Sequence, residues 1–134
     1  MTSQQPTIER VVAPGAPAPF GHYAPATVSP DGTIWVSAQL PVVGNDDRDC
    51  SAVSQQAHRA LANVVTIVEA AGGTVASVVK VTLYLVDIDD WDAVDAAFAD
   101  VFGAHRPARA VLQVAGLHHG FRVAVDAIAW RVGR

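Results

Sequence analysis

The sequence predicts an α+β domain in which one β-sheet carries two helices on a single face. Strand-like and helix-like segments alternate along the chain, which ends in a pair of strands. Only two segments have helical periodicity, and two helices cover one face of a sheet. The length of 134 residues is that of one ordinary domain. We therefore expect residues 1–134 to form one domain, with residues 1–19 partly irregular.

Proline dominates the chain before the first predicted strand. Five of the eight prolines lie between residues 13 and 30, where they preclude a long helix and favour extended backbone with turns. The segment Thr33–Ser37 is rich in β-branched and aromatic residues and follows the turn pair Asp31–Gly32, which predicts a strand. The polar residues 44–49 are expected to form a loop.

Two segments have the period of amphipathic helices. The first spans residues 51–72, with Ser51 placed to cap its N-terminus. The second is predicted to start at a cap provided by Asp89 or Asp90 and to end at Gly103. The apolar positions of the second helix are Trp91, Val94, Phe98, Val101 and Phe102.

Three further strands are predicted, at Val75–Val86, Ala108–Ala115 and Arg122–Val132, the last two joined by residues 116–120. Alternation assigns the side chains of the first of these to two faces. One face carries Val79, Val81, Leu83 and Leu85, and the other carries Val78, Lys80, Thr82, Tyr84 and Val86. In the last strand Val123, Val125, Ala127 and Ala129 suit packing beneath the helices, and Arg122, Ala124, Asp126, Ile128 and Trp130 lie opposite.

The face that the helices leave uncovered is predicted to be apolar. Tyr84, Ile128 and Trp130 lie on it, and soluble monomers usually avoid such a patch. We expect a homo-oligomer that buries this face. A monomer with some exposed apolar side chains is the alternative that periodicity leaves open.

Composition limits the partners and the compartment. A net charge of −4 with only nine scattered Lys and Arg residues gives no field that would gather phosphates, so we expect no nucleic-acid partner. The single cysteine, Cys50, cannot form an intrachain disulfide, which makes the cytoplasm the expected compartment. No apolar run approaches 18 residues and no signal peptide is recognisable, so no membrane partner is expected. No zinc-site spacing or nucleotide-binding loop is present either, which predicts no metal and no cofactor.

Six segments of the sequence stand at a consistent spacing. They are Gly21–Ala26 (GHYAPA), Val36–Pro41 (VSAQLP), Leu61–Val64 with Glu69–Gly72 (LANV and EAAG), Val79–Thr82 (VKVT), Pro107–Arg109 (PAR) and Asp126–Ala129 (DAIA). Together these segments resemble the Rid family, the RidA/YjgF-like reactive intermediate deaminases. The turn Leu117–Phe121 (LHHGF) is similar to a subgroup that has histidine in place of the more usual Leu-Pro.

The resemblance implies a chorismate-mutase-like fold with a single mixed sheet, assembled as a homotrimer with the sheets facing inward and three clefts between subunits. It further implies hydrolysis of reactive enamines and imines to a keto compound and ammonia, without metal or organic cofactor.

The resemblance also implies the substrate site. Arg109 is expected to bind the substrate, because a guanidinium matches a carboxylate in two hydrogen bonds. Tyr23 is expected to place its hydroxyl near the reacting nitrogen, so that Arg109 and Tyr23 form the catalytic pair. Ser37, Ala38 and Val111 are the further expected substrate-binding residues.

One position departs from the family pattern. Ala124 stands where many members carry a glutamate that is thought to position or activate the attacking water, so hydrolysis is expected to be weakened or specialised. Asp126, His118 and His119 are the possible acid or base substitutes, and each also has a purely structural interpretation. His22 is interpreted as subgroup variation.

Three functions remain open. The leading hypothesis is hydrolytic deamination of a small carboxylate-bearing enamine or imine. The second is a non-catalytic trimer that binds small carboxylates such as 2-keto acids, which Ala124 favours. The third, suggested by other members of the family, is a pathway-specific deaminase of a ring-cleavage product.

Overall fold

Eight strands and two helices follow one another in the part of the chain that the structure describes, residues 5–43, 47–48 and 52–133 of a computed structural model. In chain order they are β1 (Glu9–Arg10), β2 (Ala26–Val28), β3 (Thr33–Gln39), β4 (Val42–Val43), β5 (Asp47–Arg48), α1 (Val53–Ala70), β6 (Val78–Leu85), α2 (Trp91–Phe102), β7 (Ala108–Gln113) and β8 (Val123–Trp130).

Six of these strands form one sheet in the order β1-β2-β3-β8-β6-β7. All neighbours pair antiparallel except β6 and β7, which are parallel and joined through α2, so the sheet is mixed. The predicted α+β class with a single mixed main sheet is confirmed. β4 and β5 form a separate two-stranded ladder, so β5 is a strand within residues 44–49, where a loop was predicted. Cys50 and Ser51 lie outside the described residues.

The core lies between the two helices and one face of the sheet. α1 packs against β3, β8 and α2, and its inward residues Leu61, Val64 and Ile67 are fully buried. The predicted stop of α1 is confirmed: Gly72 has φ 95°, and the amides of Gly72 and Gly73 donate to the carbonyls of Glu69 and Val68. This is the hydrogen-bond pattern of a Schellman motif.

The N-terminus of α2 differs from the prediction. Asp90 occupies the cap position, but its carboxylate makes no capping hydrogen bond. It accepts two hydrogen bonds from Nη2 of Arg122 instead, at 2.9 and 3.0 Å, which ties α2 to the start of β8. The capping hydrogen bond is found instead at the short 3₁₀ turn before the helix, where the carboxylate of Asp87 accepts a hydrogen bond from the amide of Asp89 at 2.9 Å.

Two predictions about strands are wrong in part. The strand predicted at Val75–Val86 starts only at Val78, because residues 75–77 form a 3₁₀ turn. A register shift against β8 between Val78 and Lys80 leaves Val79 exposed, although alternation had placed it with the core residues. The proline-rich segment contains one strand that was not predicted, β2, which pairs with β3. β1 precedes that segment and pairs with β2, so residues 1–19 also contain a strand.

The opposite face of the sheet is left open by the described residues, as predicted. Trp35, Leu112 and Trp130 are each about half exposed. The alternation predicted for β8 is confirmed, since Val123, Val125, Ala127 and Ala129 are buried on the helix side. Neither helix is long and apolar enough to cross a membrane among the residues described.

Candidate functional site

Arg109 lies on the edge strand β7, on the side of the sheet that faces the helices. Its Cα pairs in parallel register with that of Val81, which is fully buried beneath the helices. Partners in this register point to the same face, so the side chain of Arg109 extends toward α2. Val111, two residues further along β7, packs partly buried against the core on the same face.

The guanidinium of Arg109 is held by three residues of α2. Nη1 donates to Oδ1 of Asp95 at 2.6 Å, and the guanidinium carbon lies 5.2 Å from the ring centroid of Trp91 and 4.9 Å from that of Phe98. Positions 91, 95 and 98 follow the i, i+4, i+7 spacing that places side chains on one helix face. Within the described part of the chain, the other guanidinium N–H groups have no hydrogen-bond partner.

A pocket of about 400 Å³ opens beside this guanidinium. Its apolar lining comes from Phe98, Ala99, Phe102, Gly103 and Pro107, and its polar lining from Asp95, His105, Arg106 and Arg109. Nε2 of His105 lies 2.7 Å from the carbonyl oxygen of Val78, and a carbonyl only accepts, so Nε2 carries the proton. The pocket therefore has apolar walls and a cationic group with open donors at its side, which suits a small carboxylate.

Tyr23 lies elsewhere in the same chain, in an exposed loop before β2. Its hydroxyl oxygen accepts a hydrogen bond from the amide of Phe20 at 3.3 Å, and the residue is 47% exposed. Ser37 fastens this loop, because its Oγ donates to the carbonyl of Ala24 at 2.7 Å and its amide donates to that of Pro25. Ala38 is exposed at the register shift between β3 and β8.

His118 and His119 pack beside the loop that carries Tyr23. Their ring centroids are 3.7 Å apart, and Phe20 meets the ring of His119 edge-on at 4.9 Å. His119 adopts φ 62°, a left-handed conformation that shapes the turn before β8. The histidine pair thus lies beside the loop that carries Tyr23. Among the described residues, the contacts of Arg109 are with α2 and include neither the histidines nor Tyr23.

Asp126 lies on the open face of the sheet. Its Oδ2 accepts a hydrogen bond from the hydroxyl of Tyr84 at 2.7 Å. This hydrogen bond, the main cause, and partial burial, the second cause, raise the pKa of Tyr84 to about 12. Ala124 pairs with Tyr84 across the strands and is buried. Asp126 and Arg109 therefore face opposite sides of the sheet in one chain.

The predicted site residues thus occupy three places in a single chain, namely the α2 side of β7, the loop before β2, and the open face. Sequence reasoning missed Trp91, Asp95 and Phe98, the residues that hold Arg109. Their helical spacing was the available signal, but only the position of β7 beside α2 shows that they meet an arginine. No cluster of three His, Cys, Asp or Glu side chains able to hold a metal occurs within residues 5–43, 47–48 and 52–133.

Known proteins resemble this chain over most of its length. The goat (Capra hircus) 2-iminobutanoate/2-iminopropanoate deaminase is 39% identical over 124 residues, which cover 91% of this chain and 90% of that protein. The crystal structure of the E. coli YjgF gene product superposes with a TM-score of 0.81 at 35% identity and covers 92% of this chain and 98% of that one. The structure of E. coli TdcF with bound serine has the same TM-score of 0.81 at 30% identity, with coverage of 92% and 98%.

The family described as Endoribonuclease L-PSP matches residues 14–131. This range contains the whole of the main sheet except β1, both helices, and every residue of the Arg109 pocket. The chain therefore belongs to the Endoribonuclease L-PSP family, the family of YjgF and RidA.

Proposed function

We propose that this protein hydrolyses small carboxylate-bearing imines or enamines to a keto compound and ammonia. The observation that carries the proposal is the guanidinium of Arg109, which presents open N–H donors inside a small pocket with apolar walls. Relatives that are 35–40% identical are named 2-iminobutanoate/2-iminopropanoate deaminases. The bound serine in the TdcF structure is a small molecule that also carries a carboxylate.

The pocket supplies the two kinds of contact that such a substrate needs. A carboxylate gains two parallel, charge-assisted hydrogen bonds from a guanidinium, which fix its orientation. The rings of Phe98 and Phe102 give an aliphatic side chain an apolar surface. An imine held in this way is presented to water in one orientation, and orientation alone accelerates hydrolysis.

We further propose that the active form is a homotrimer whose open sheet faces are buried together. Trp35, Leu112 and Trp130 supply apolar side chains about half exposed on or beside that face. In such an assembly, Tyr23 and Ser37 of one chain can approach Arg109 of the next. This arrangement accounts for a site whose expected residues lie far apart in a single chain.

Position 124 favours a second candidate, a trimer that binds small carboxylates without hydrolysing them. The side chain of Ala124 is buried and has no group that accepts a proton. Loss of a positioned base typically costs about 10²- to 10⁴-fold in rate. Binding at Arg109 does not depend on that base. A nuclease activity, as the family's description suggests, is disfavoured by the net charge of −4.

The decisive experiment measures ammonia release from imino acids that an amino acid oxidase generates in situ. We expect the protein to accelerate release above the oxidase-only control, and Arg109→Ala to remove most of the acceleration. Arg59→Ala, on the exposed side of α1, is the matched control and should behave as wild type. If wild type binds pyruvate but releases ammonia only at the uncatalysed rate, the result supports the second candidate and excludes the first. Unchanged activity in Arg109→Ala refutes the assigned site.

A further inference from the structure

The carboxylate of Asp95 contacts the guanidinium of Arg109, the group that binds the substrate in the proposed function. Its Oδ1 accepts from Nη1 of Arg109 at 2.6 Å, and both residues line the pocket. The side chain of Asp95 is 46% exposed, whereas that of Arg109 is 22% exposed. Asp95 is therefore accessible from the pocket, and a ligand bound to Arg109 comes close to its carboxylate.

Asp95 restricts how a ligand can bind. A guanidinium binds a carboxylate through two parallel N–H groups, either from both terminal nitrogens or from Nε and one terminal nitrogen. Nη1 already donates one of its two N–H groups to Asp95, whereas Nε and Nη2 make no hydrogen bond with the described residues, so the pair formed by Nε and Nη2 is open to the ligand. Trp91 and Phe98 hold the guanidinium from α2 independently of this ion pair.

We propose that Asp95 is a specificity-determining residue that restricts the Arg109 pocket to small monocarboxylates. This inference rests on the proposed function, since it concerns the same ligand site. Asp95 offsets the charge of Arg109, so a second carboxylate on the ligand meets a like charge and the apolar walls of the pocket. Arg106 also lines the pocket, but it is exposed, so solvent and salt screen its charge.

The test compares the dissociation constants of pyruvate, 2-oxoglutarate and pyruvamide for wild type and Asp95→Asn, measured by calorimetry. Asparagine keeps an oxygen that accepts from Nη1 but removes the negative charge. We expect Asp95→Asn to bind pyruvate about fivefold more tightly, because the partly exposed carboxylate is screened. The gain for 2-oxoglutarate should be larger than the gain for pyruvate, and the constant for the uncharged pyruvamide should stay the same.

Asp100→Asn is the matched control. Asp100 lies on the same helix and pairs with His58 at the surface, so its substitution removes the same charge outside the pocket. Its three constants should equal those of wild type. The inference is overturned if Asp95→Asn binds the two acids no more tightly than wild type does. It is also overturned if the affinity increases equally for pyruvate and 2-oxoglutarate, or increases as much for pyruvamide. Finally, it is overturned if neither wild type nor Asp95→Asn binds either acid.

Because these constants are measured without turnover, they remain informative if wild type releases no ammonia. That result would refute the proposed activity alone. Tighter binding of both acids by Asp95→Asn, with the larger gain for 2-oxoglutarate and none for pyruvamide, would still support the role of Asp95.

Discussion

Replacing Tyr84 by phenylalanine removes the phenol that donates to Asp126 on the open face of the sheet. The hydrogen bond is short, 2.7 Å, and it raises the pKa of Tyr84 from 10 to about 12. A difference of this size corresponds to about 2.7 kcal/mol between the two protonation states. Because the phenol is partly exposed, screening reduces its contribution to the free energy of unfolding to about 1 kcal/mol.

The sign of the pH dependence follows from the direction of the shift. The pKa of Tyr84 is higher in the folded chain than in the unfolded chain, so below pH 10 the stabilisation is fully present. Between pH 10 and about 12 the unfolded chain ionises first, and the stabilisation is lost as the pH rises. Tyr84→Phe is expected to lack this part of the pH dependence.

Phenolate absorbance gives a direct assay, because Tyr23 and Tyr84 are the only tyrosines in the sequence. In wild type we expect a transition with a midpoint near pH 12 that is absent in Tyr84→Phe. Asp126→Asn replaces the charged acceptor of this hydrogen bond by a neutral one, which binds the phenol more weakly, so this midpoint should move toward 10. A transition of Tyr84 near pH 10 in wild type, or a midpoint that Asp126→Asn leaves unchanged, would refute the assignment of the raised pKa to this pair.

Two predictions concern stability and are measured by chemical denaturation. Gly73→Ala places a Cβ 2.8 Å from Cγ1 of Val68, so we expect a loss of about 1–3 kcal/mol. Gly116→Ala should cost much less, because, apart from its chain neighbours, no described residue has an atom within 4 Å of the added Cβ. Equal losses would show that the chain relaxes around residue 73. Asn63 is buried and donates to the carbonyls of Leu40 and Val42, so Asn63→Ala should cost about 1–3 kcal/mol. Asn63→Asp should cost more, since a carboxylate cannot donate, and a smaller loss would contradict this role.

The helices and central strands were predictable because their signals are local. The 3.6-residue period defined α1, and the glycines after it supplied the backbone freedom that its stop needs. The face of Val79 was not predictable, because the register shift that exposes it arises from pairing with β8. β1 and β2 were missed because two or three residues give no measurable alternation, and their order comes from β3.

The sequence singled out candidate site residues one at a time, but it did not predict their local geometry. The segment Pro107–Arg109 identified Arg109 through resemblance, and a resemblance carries no information about the partners of a side chain. Asp95 lies 14 positions earlier and meets Arg109 only because β7 runs parallel to β6 beside α2. The sequence pattern therefore identified Arg109 as a candidate but not Asp95, the carboxylate that pairs with it.

β7 is the last strand of the sheet and pairs with β6 alone among the strands described. A strand bonded on one side opens locally at a lower free energy than the strands at the centre, so its amides exchange hydrogen sooner. A ligand that connects Arg109 on β7 with the α2 side of the pocket opposes this opening, and the exchange slows in proportion to occupancy. The backbone of β7 thus provides a label-free reporter for screening candidate substrates before any product can be assayed.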